Sequence, residues 1–386
     1  MNVSAFLSYA FRPFFLLNGL YAMAVMAVWV LALHGAGPKS LPDDTIMWHG
    51  HEMMVGFAMA AIAGFVLTAV ATWTDRPPLS GARLGWLVTA WLTGRGAMLF
   101  AGVLPVGLLT LLDMLFPVLL VLTVAREIVG GGSRRNYPII GITVLLALLN
   151  LLYHLGSAAG IPGANRIAVY LFIHLVLLLI TVIGGRIVPN FTANWLRAHG
   201  QEKLPVNHAL TDRVTIVLSV VAGISISIAP TVGATGVIAC AAALAHGVRL
   251  SRWQGLATTR EPLLFVMHVA YLWLPVGYAL TGLAVFNPLL PPTAALHALT
   301  MGAIGSMVLA VTTRVALAHT GRPLHAARLT VVAYLLFTIA VVVRVFSPLL
   351  EFDYLAMIDV SALGWLISFA VFSWVYWPVL TGPSVD

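Results

Sequence analysis

The chain has 386 residues, of which 60% are apolar and only 9% charged, and its mean hydropathy is +0.98. A soluble fold cannot hide that much apolar surface, so the composition excludes a water-soluble enzyme and makes the bilayer the main partner. The net charge of +7 comes without a basic, aromatic-interleaved polar module, which argues against nucleic-acid binding.

Runs of roughly 20 apolar residues between polar or Pro/Gly breaks predict an all-α polytopic membrane protein of twelve spans. They fall near 14–34, 46–73, 82–102, 106–129, 137–158, 165–188, 211–229, 232–248, 263–285, 293–316, 325–347 and 353–378. Stretches such as 167–183 and 331–343 lack the alternation of barrel strands. The first run follows Arg12 but is long and lacks a small-residue cleavage site, so it reads as a retained helix. Lys and Arg gather in the even-numbered loops and their flanking helix ends, from Arg76 and Arg83 through Arg322 and Arg328. The odd-numbered loops hold only Lys39, Arg166 and Arg344. That asymmetry predicts cytoplasmic termini.

No linker separates domains, and residues 1–386 are expected to form a single transmembrane domain. Within it, a shift of 246 residues superposes His51 on His297, Gly56 on Gly302, Thr74 on Thr320, Arg76 on Arg322 and Pro77 on Pro323. Half that shift carries His51 to His174. Repeats of four helices over 1–130, 131–255 and 256–386 are therefore expected.

Chemistry concentrates at Trp48-His49-Gly50-His51-Glu52, at the start of the second span. Residues two apart lie about 200° apart on a helix, so His49 and His51 should face different neighbours. Imidazole is a common metal ligand, and ionisable groups inside a membrane are costly. His49, His51, His174 and His297 are thus candidate metal ligands, with Glu52 beside them as a candidate catalytic proton carrier; hydrogen bonding of each His to a neighbouring helix is the plainer alternative. The hairpin around 102–105 should bring Arg95 and Asp113 to matching depth as an ion pair. His268, Arg186, Arg314 and His319 lie on the inner side with His199 and His246, where they serve either a bound group or anchoring at the interface. His34, His154, His208 and His325 lie near span ends and read as interfacial. Cys240 stands alone, which leaves His, Met or carboxylates as ligands.

The segments FRPFFLLNGL (11–20), WHGHEMMVGF (48–57), GFVLTAVATWTDRPP (64–78), GGRIVPNFT (184–192), EPLLFVMH (261–268) and LHALTMGAIGSMVLAVTTRVALAHTGRP (296–323), taken together and in order, resemble the NnrS family. The resemblance implies a bacterial inner-membrane protein with haem and copper, tied to denitrification or nitric oxide resistance. It singles out His49, His51, Glu52, Arg186, His268, His297, Arg314 and His319. With no Cys-x-x-Cys-His motif the haem would be non-covalent and b-type; in a reductive version of that function His51 and His297 hold the iron, while His49 and His174, the latter from the repeat, contribute to a nearby metal. Quinol or a small redox protein would then supply electrons for an oxidoreductase of the nitric oxide reductase kind. A transporter or metal- or haem-handling protein, and a nitric oxide sensor, are the alternatives. The architecture is also similar to haem-copper oxidase catalytic subunits, but the seventh span has no His and the tenth has only one.

Overall fold

The computed structural model describes residues 2–350 and 352–385. Among them there are helices and no strands. After a single turn at Val3–Phe6, twelve long helices follow: α1 Phe11–Leu33, α2 Thr45–Thr74, α3 Gly81–Met98, α4 Val106–Gly130, α5 Tyr137–Ala158 and α6 Ala164–Ala198. They continue as α7 Ala209–Ile228, α8 Gly233–Ser251, α9 Pro262–Phe286, α10 Pro292–Ala318, α11 Arg328–Phe346 and α12 Tyr354–Thr381. Eleven are long and apolar enough to cross a membrane. The remaining one, α3, carries Arg83 and Arg95 along with several glycines. The protein is a multi-pass membrane protein.

The helix ends follow local chemistry. Asp44 caps α2, its Oδ1 accepting from the Met47 amide at 3.0 Å. Pro262 and Pro292 open α9 and α10 at positions whose amides would have no partner in any case. Apolar rows at helical spacing stay exposed, for example Leu108, Leu111, Leu115 and Leu122 on α4 and Val217, Val221, Ile224 and Ile228 on α7. In water such rows would be aggregation surfaces; in lipid they are solvated. Within the protein, α8 and α9 pack through small residues. A Cβ on Gly282 would collide with Cys240 and the Gly236 carbonyl, so the two backbones approach as closely as glycine allows.

Contacts cluster in two compact units, one of residues up to 172 with 315–322 and 373 onward, the other of 173–314 and 323–372. The central helix of the first unit is α2, 78% of whose apolar window is buried, against 33% for α4.

Three helices contain π-helical stretches: Glu52–Ala58 in α2, Ile180–Gly184 in α6 and Ala298–Gly305 in α10. The π geometry frees backbone carbonyls, and neighbouring side chains take them up. Trp91 donates to the Gly56 carbonyl at 3.1 Å and Asn18 to that of Phe57 at 2.6 Å, which ties α3 and α1 to α2. The stretch in α6 is met by Arg249, which donates to the Thr181 carbonyl at 2.6 Å. The stretch in α10 starts 246 residues after the one in α2, at the shift that aligns His51 with His297.

Candidate metal centre

His51 ends the first α-helical part of α2, and the π stretch begins at Glu52. The two neighbours enter one buried polar network with Arg95 of α3, Asp113 of α4, and Asn150 and His154 of α5; all six are at most 5% exposed. Arg95 is the hub. Its guanidinium donates to Glu52 Oε1 through one terminal nitrogen and to Asp113 Oδ1 through the other. The ion pair expected from the α3–α4 hairpin is present, with Glu52 as a second anion. Tyr21 of α1 donates to Glu52 Oε2, and its ring meets Trp91 edge-on at 5.2 Å.

The hydrogen bonds fix the protonation of His51. Its Nδ1 lies 2.8 Å from Glu52 Oε1, while its Nε2 lies 2.8 Å from Asn150 Oδ1 and 3.2 Å from Asp113 Oδ2. Asn150 presents its oxygen to His51 because its amide nitrogen donates to Asp113 Oδ2 at 2.8 Å. Both ring nitrogens therefore face acceptors and both carry hydrogen, so the ring is an imidazolium. Two carboxylates are then balanced by one guanidinium and one imidazolium, and the cluster is neutral. That is how it tolerates burial.

His154 Nε2 donates to the same Asp113 oxygen at 2.8 Å. His51, Asp113 and His154 each offer a ligand atom within 4.8 Å of the others, the one such group of three among the described residues. Two imidazoles and a carboxylate form a donor set suited to a transition metal. A singly charged ion such as Cu(I) between these atoms would replace the Nε2 proton of His51 charge for charge, with the His154 proton moving from Nε2 to Nδ1. The residues therefore fit a metal ion. They do not fit a haem at His51, because Tyr153 covers the ring at 4.4 Å and the adjoining pocket has room for about one water-sized molecule. That pocket is lined by His51 together with Met54, Val55, Val169 and Phe172.

Sequence reasoning missed three members of this network. His154 is buried rather than interfacial, because α5 continues for a turn beyond it and its ring points inward. Asn150 lies four residues before His154, on the same helix face, a spacing that could have flagged the pair. Tyr21 gave no signal among the apolar residues of α1.

The other candidate residues lie elsewhere. His49 faces away from His51, as expected, and stacks on Trp29 at 4.5 Å. His319 packs beside Tyr9 and Phe11, and burial lowers its pKa. His174, His268, His297, Arg186 and Arg314 belong to the second unit. There His297 Nδ1 donates to the Thr293 carbonyl at 2.8 Å. His268 Nε2 donates to Thr192 Oγ1 at 2.8 Å, and its Nδ1 is buried without a hydrogen bond against Gly255. Arg314 lies over the Phe191 ring at 4.5 Å, whereas Arg186 is exposed. His246, expected near the surface, is fully buried.

Gly56 keeps the first-unit network closed, since a Cβ there would strike the Tyr21 ring and come within 3.2 Å of Arg95 Cδ. Gly56→Val is expected to destabilise the protein by about 1–3 kcal/mol through overpacking, measurable as a lowered unfolding temperature in detergent, with an unchanged temperature as the contrary result.

A search of curated proteins gives no match. The family model described as NnrS protein matches residues 5–384, nearly the whole chain, and the protein belongs to the NnrS family.

Proposed function

We propose that this protein serves the nitric oxide response of a bacterial inner membrane by holding a redox metal at His51, Asp113 and His154, with nitric oxide bound or reduced beside it. Family membership supports the nitric oxide role, and the buried, charge-balanced imidazole–carboxylate cluster carries the metal reading. When bound, copper supplies one-electron chemistry and an open coordination position for a diatomic molecule. Asn150 and Arg95 orient the Asp113 carboxylate, and Glu52 holds His51 through Nδ1, the outer hydrogen bond that fixes the geometry of a ligating histidine. Glu52 also takes the Tyr21 hydroxyl, so a proton on this carboxylate has a defined neighbour on either side. The apolar pocket next to His51 suits a small neutral ligand and disfavours ions.

The haem of the family is assigned by the same reasoning to the second unit. His268, whose Nδ1 is buried without a hydrogen bond, is a better axial ligand than His51, with His297 as the alternative and Arg314 and Arg186 available to propionates. His174 remains a secondary candidate there, whereas His319 belongs to the first unit and His49 is left out of the metal set. Both termini are placed in the cytoplasm on the strength of the charge asymmetry.

Purified protein supplied with a quinol should consume nitric oxide, and His51→Ala should abolish turnover. Binding without turnover in the wild type would instead favour a sensor or metal-handling role. Turnover that persists in His51→Ala would overturn the assignment.

A further inference from the structure

The second unit contains a buried polar chain that the metal reading does not use. Arg249 of α8 is 3% exposed and is held by Asp212, its Nε donating to Oδ1 at 2.7 Å. One of its terminal nitrogens donates to the Thr181 carbonyl at 2.6 Å and to the Tyr271 hydroxyl at 3.1 Å. Tyr271 and His246 are both fully buried, and the phenol oxygen lies 3.0 Å from His246 Nδ1. The far nitrogen, Nε2, lies 2.9 Å from Ser219 Oγ, whose own hydrogen is committed to the Thr215 carbonyl at 2.7 Å.

With the Ser219 hydrogen on the Thr215 carbonyl, the chain of contacts runs in one direction. Ser219 has its single hydrogen on Thr215, so it accepts from His246 Nε2–H. The neutral ring then has its lone pair on Nδ1, where Tyr271 donates. Arg249 donates to the same phenol oxygen, which fixes its position and leaves the phenolic hydrogen pointed at the imidazole. Aromatic rings continue from this pair on both sides: Trp253 lies 4.4 Å from Tyr271, and Tyr278 stacks on His246 at 5.5 Å with an interplanar angle of 14°.

We propose that Tyr271 is a redox-active tyrosine whose phenolic proton passes to His246 Nδ1 as the ring gives up one electron. The O–H bond breaks, an N–H bond forms on the imidazole, and the products are a neutral phenoxyl radical and an imidazolium. The electron goes to a one-electron oxidant of the membrane-soluble radical class, such as nitrogen dioxide, which leaves as nitrite. The phenoxyl oxygen keeps Arg249 as a donor, and the new imidazolium keeps Ser219 as acceptor. A phenol without a base at hand would have to form a cation radical in an apolar interior, which is far costlier. Burial keeps reductants and water from the radical, and Trp253 and Tyr278 give the hole two neighbouring rings.

The test is flash-quench oxidation of the purified full-length protein with a ruthenium tris-bipyridine photosensitiser, followed by electron paramagnetic resonance. The wild type is expected to give a long-lived neutral tyrosyl signal whose hyperfine pattern changes in deuterium oxide, because the transferred proton is exchangeable. Tyr271→Phe should remove that component while Tyr278→Phe retains it, and His246→Gln should reduce its yield at least tenfold. An equal signal in Tyr271→Phe would overturn the proposal. So would a wild-type radical without a deuterium-sensitive coupling, a readout that needs no variant to fold.

Discussion

Arg95→Leu should destabilise the protein by about 3–5 kcal/mol, the cost of leaving buried charges without their partner. The guanidinium pairs with both Glu52 and Asp113, and His51 is the other group that reaches the two of them. Without it, two fully buried carboxylates remain with only the His51 imidazolium to balance them. The loss would appear as a large drop in unfolding temperature in detergent. Adding Asp113→Leu to Arg95→Leu should recover part of it, because the double variant leaves a single carboxylate facing a single imidazolium. Coupling between the two positions then separates pairing from simple packing. A cost below about 1 kcal/mol for Arg95→Leu alone, the range of exposed ion pairs, would contradict the buried-hub reading.

His154→Ala should lower the affinity for copper by on the order of 100-fold or more, since first-row ligands matter at least as much as their outer hydrogen-bond partners. His154 shares the Asp113 oxygen with His51 and contributes one of three donor atoms. His49→Ala provides the internal comparison: it is two residues from His51 in sequence, yet its ring lies on Trp29. Equilibrium dialysis against a Cu(I) chelator measures both. Equal losses in the two variants would contradict the assignment of the metal to His154 rather than His49.

Much of this architecture is legible in the sequence because lipid imposes a simple rule, that a span must be long and apolar along its whole length. The rule fails where a helix leaves the lipid. The sixth span was expected to stop near 188, but α6 runs to Ala198. Its last turns alternate Arg186, Asn190, Asn194 and Arg197 with apolar residues, an amphipathic pattern that a hydrophobicity run does not detect. The Arg95–Asp113 pair was legible from the short α3–α4 connection, which fixes relative depth. His154 was not, since the depth of a residue near a helix end says nothing about the direction of its ring. The π stretches were also invisible. Those in α2 and α6 have their carbonyls taken up by Trp91, Asn18 and Arg249, residues far away in the chain. They matter because they set the rotation of α2 just where His51 and Glu52 enter the network.

The buried cluster is satisfied with a proton on His51 and equally suited to a metal ion in place of that proton. Metal analysis of the wild type, His51→Ala and His154→Ala, each expressed with adequate copper and haem and checked by optical spectrum, distinguishes these outcomes most directly. The account predicts one copper per wild-type chain, lost in both variants while any haem absorption is retained. Copper absent from the wild type, or present at the same stoichiometry in both variants, would contradict it.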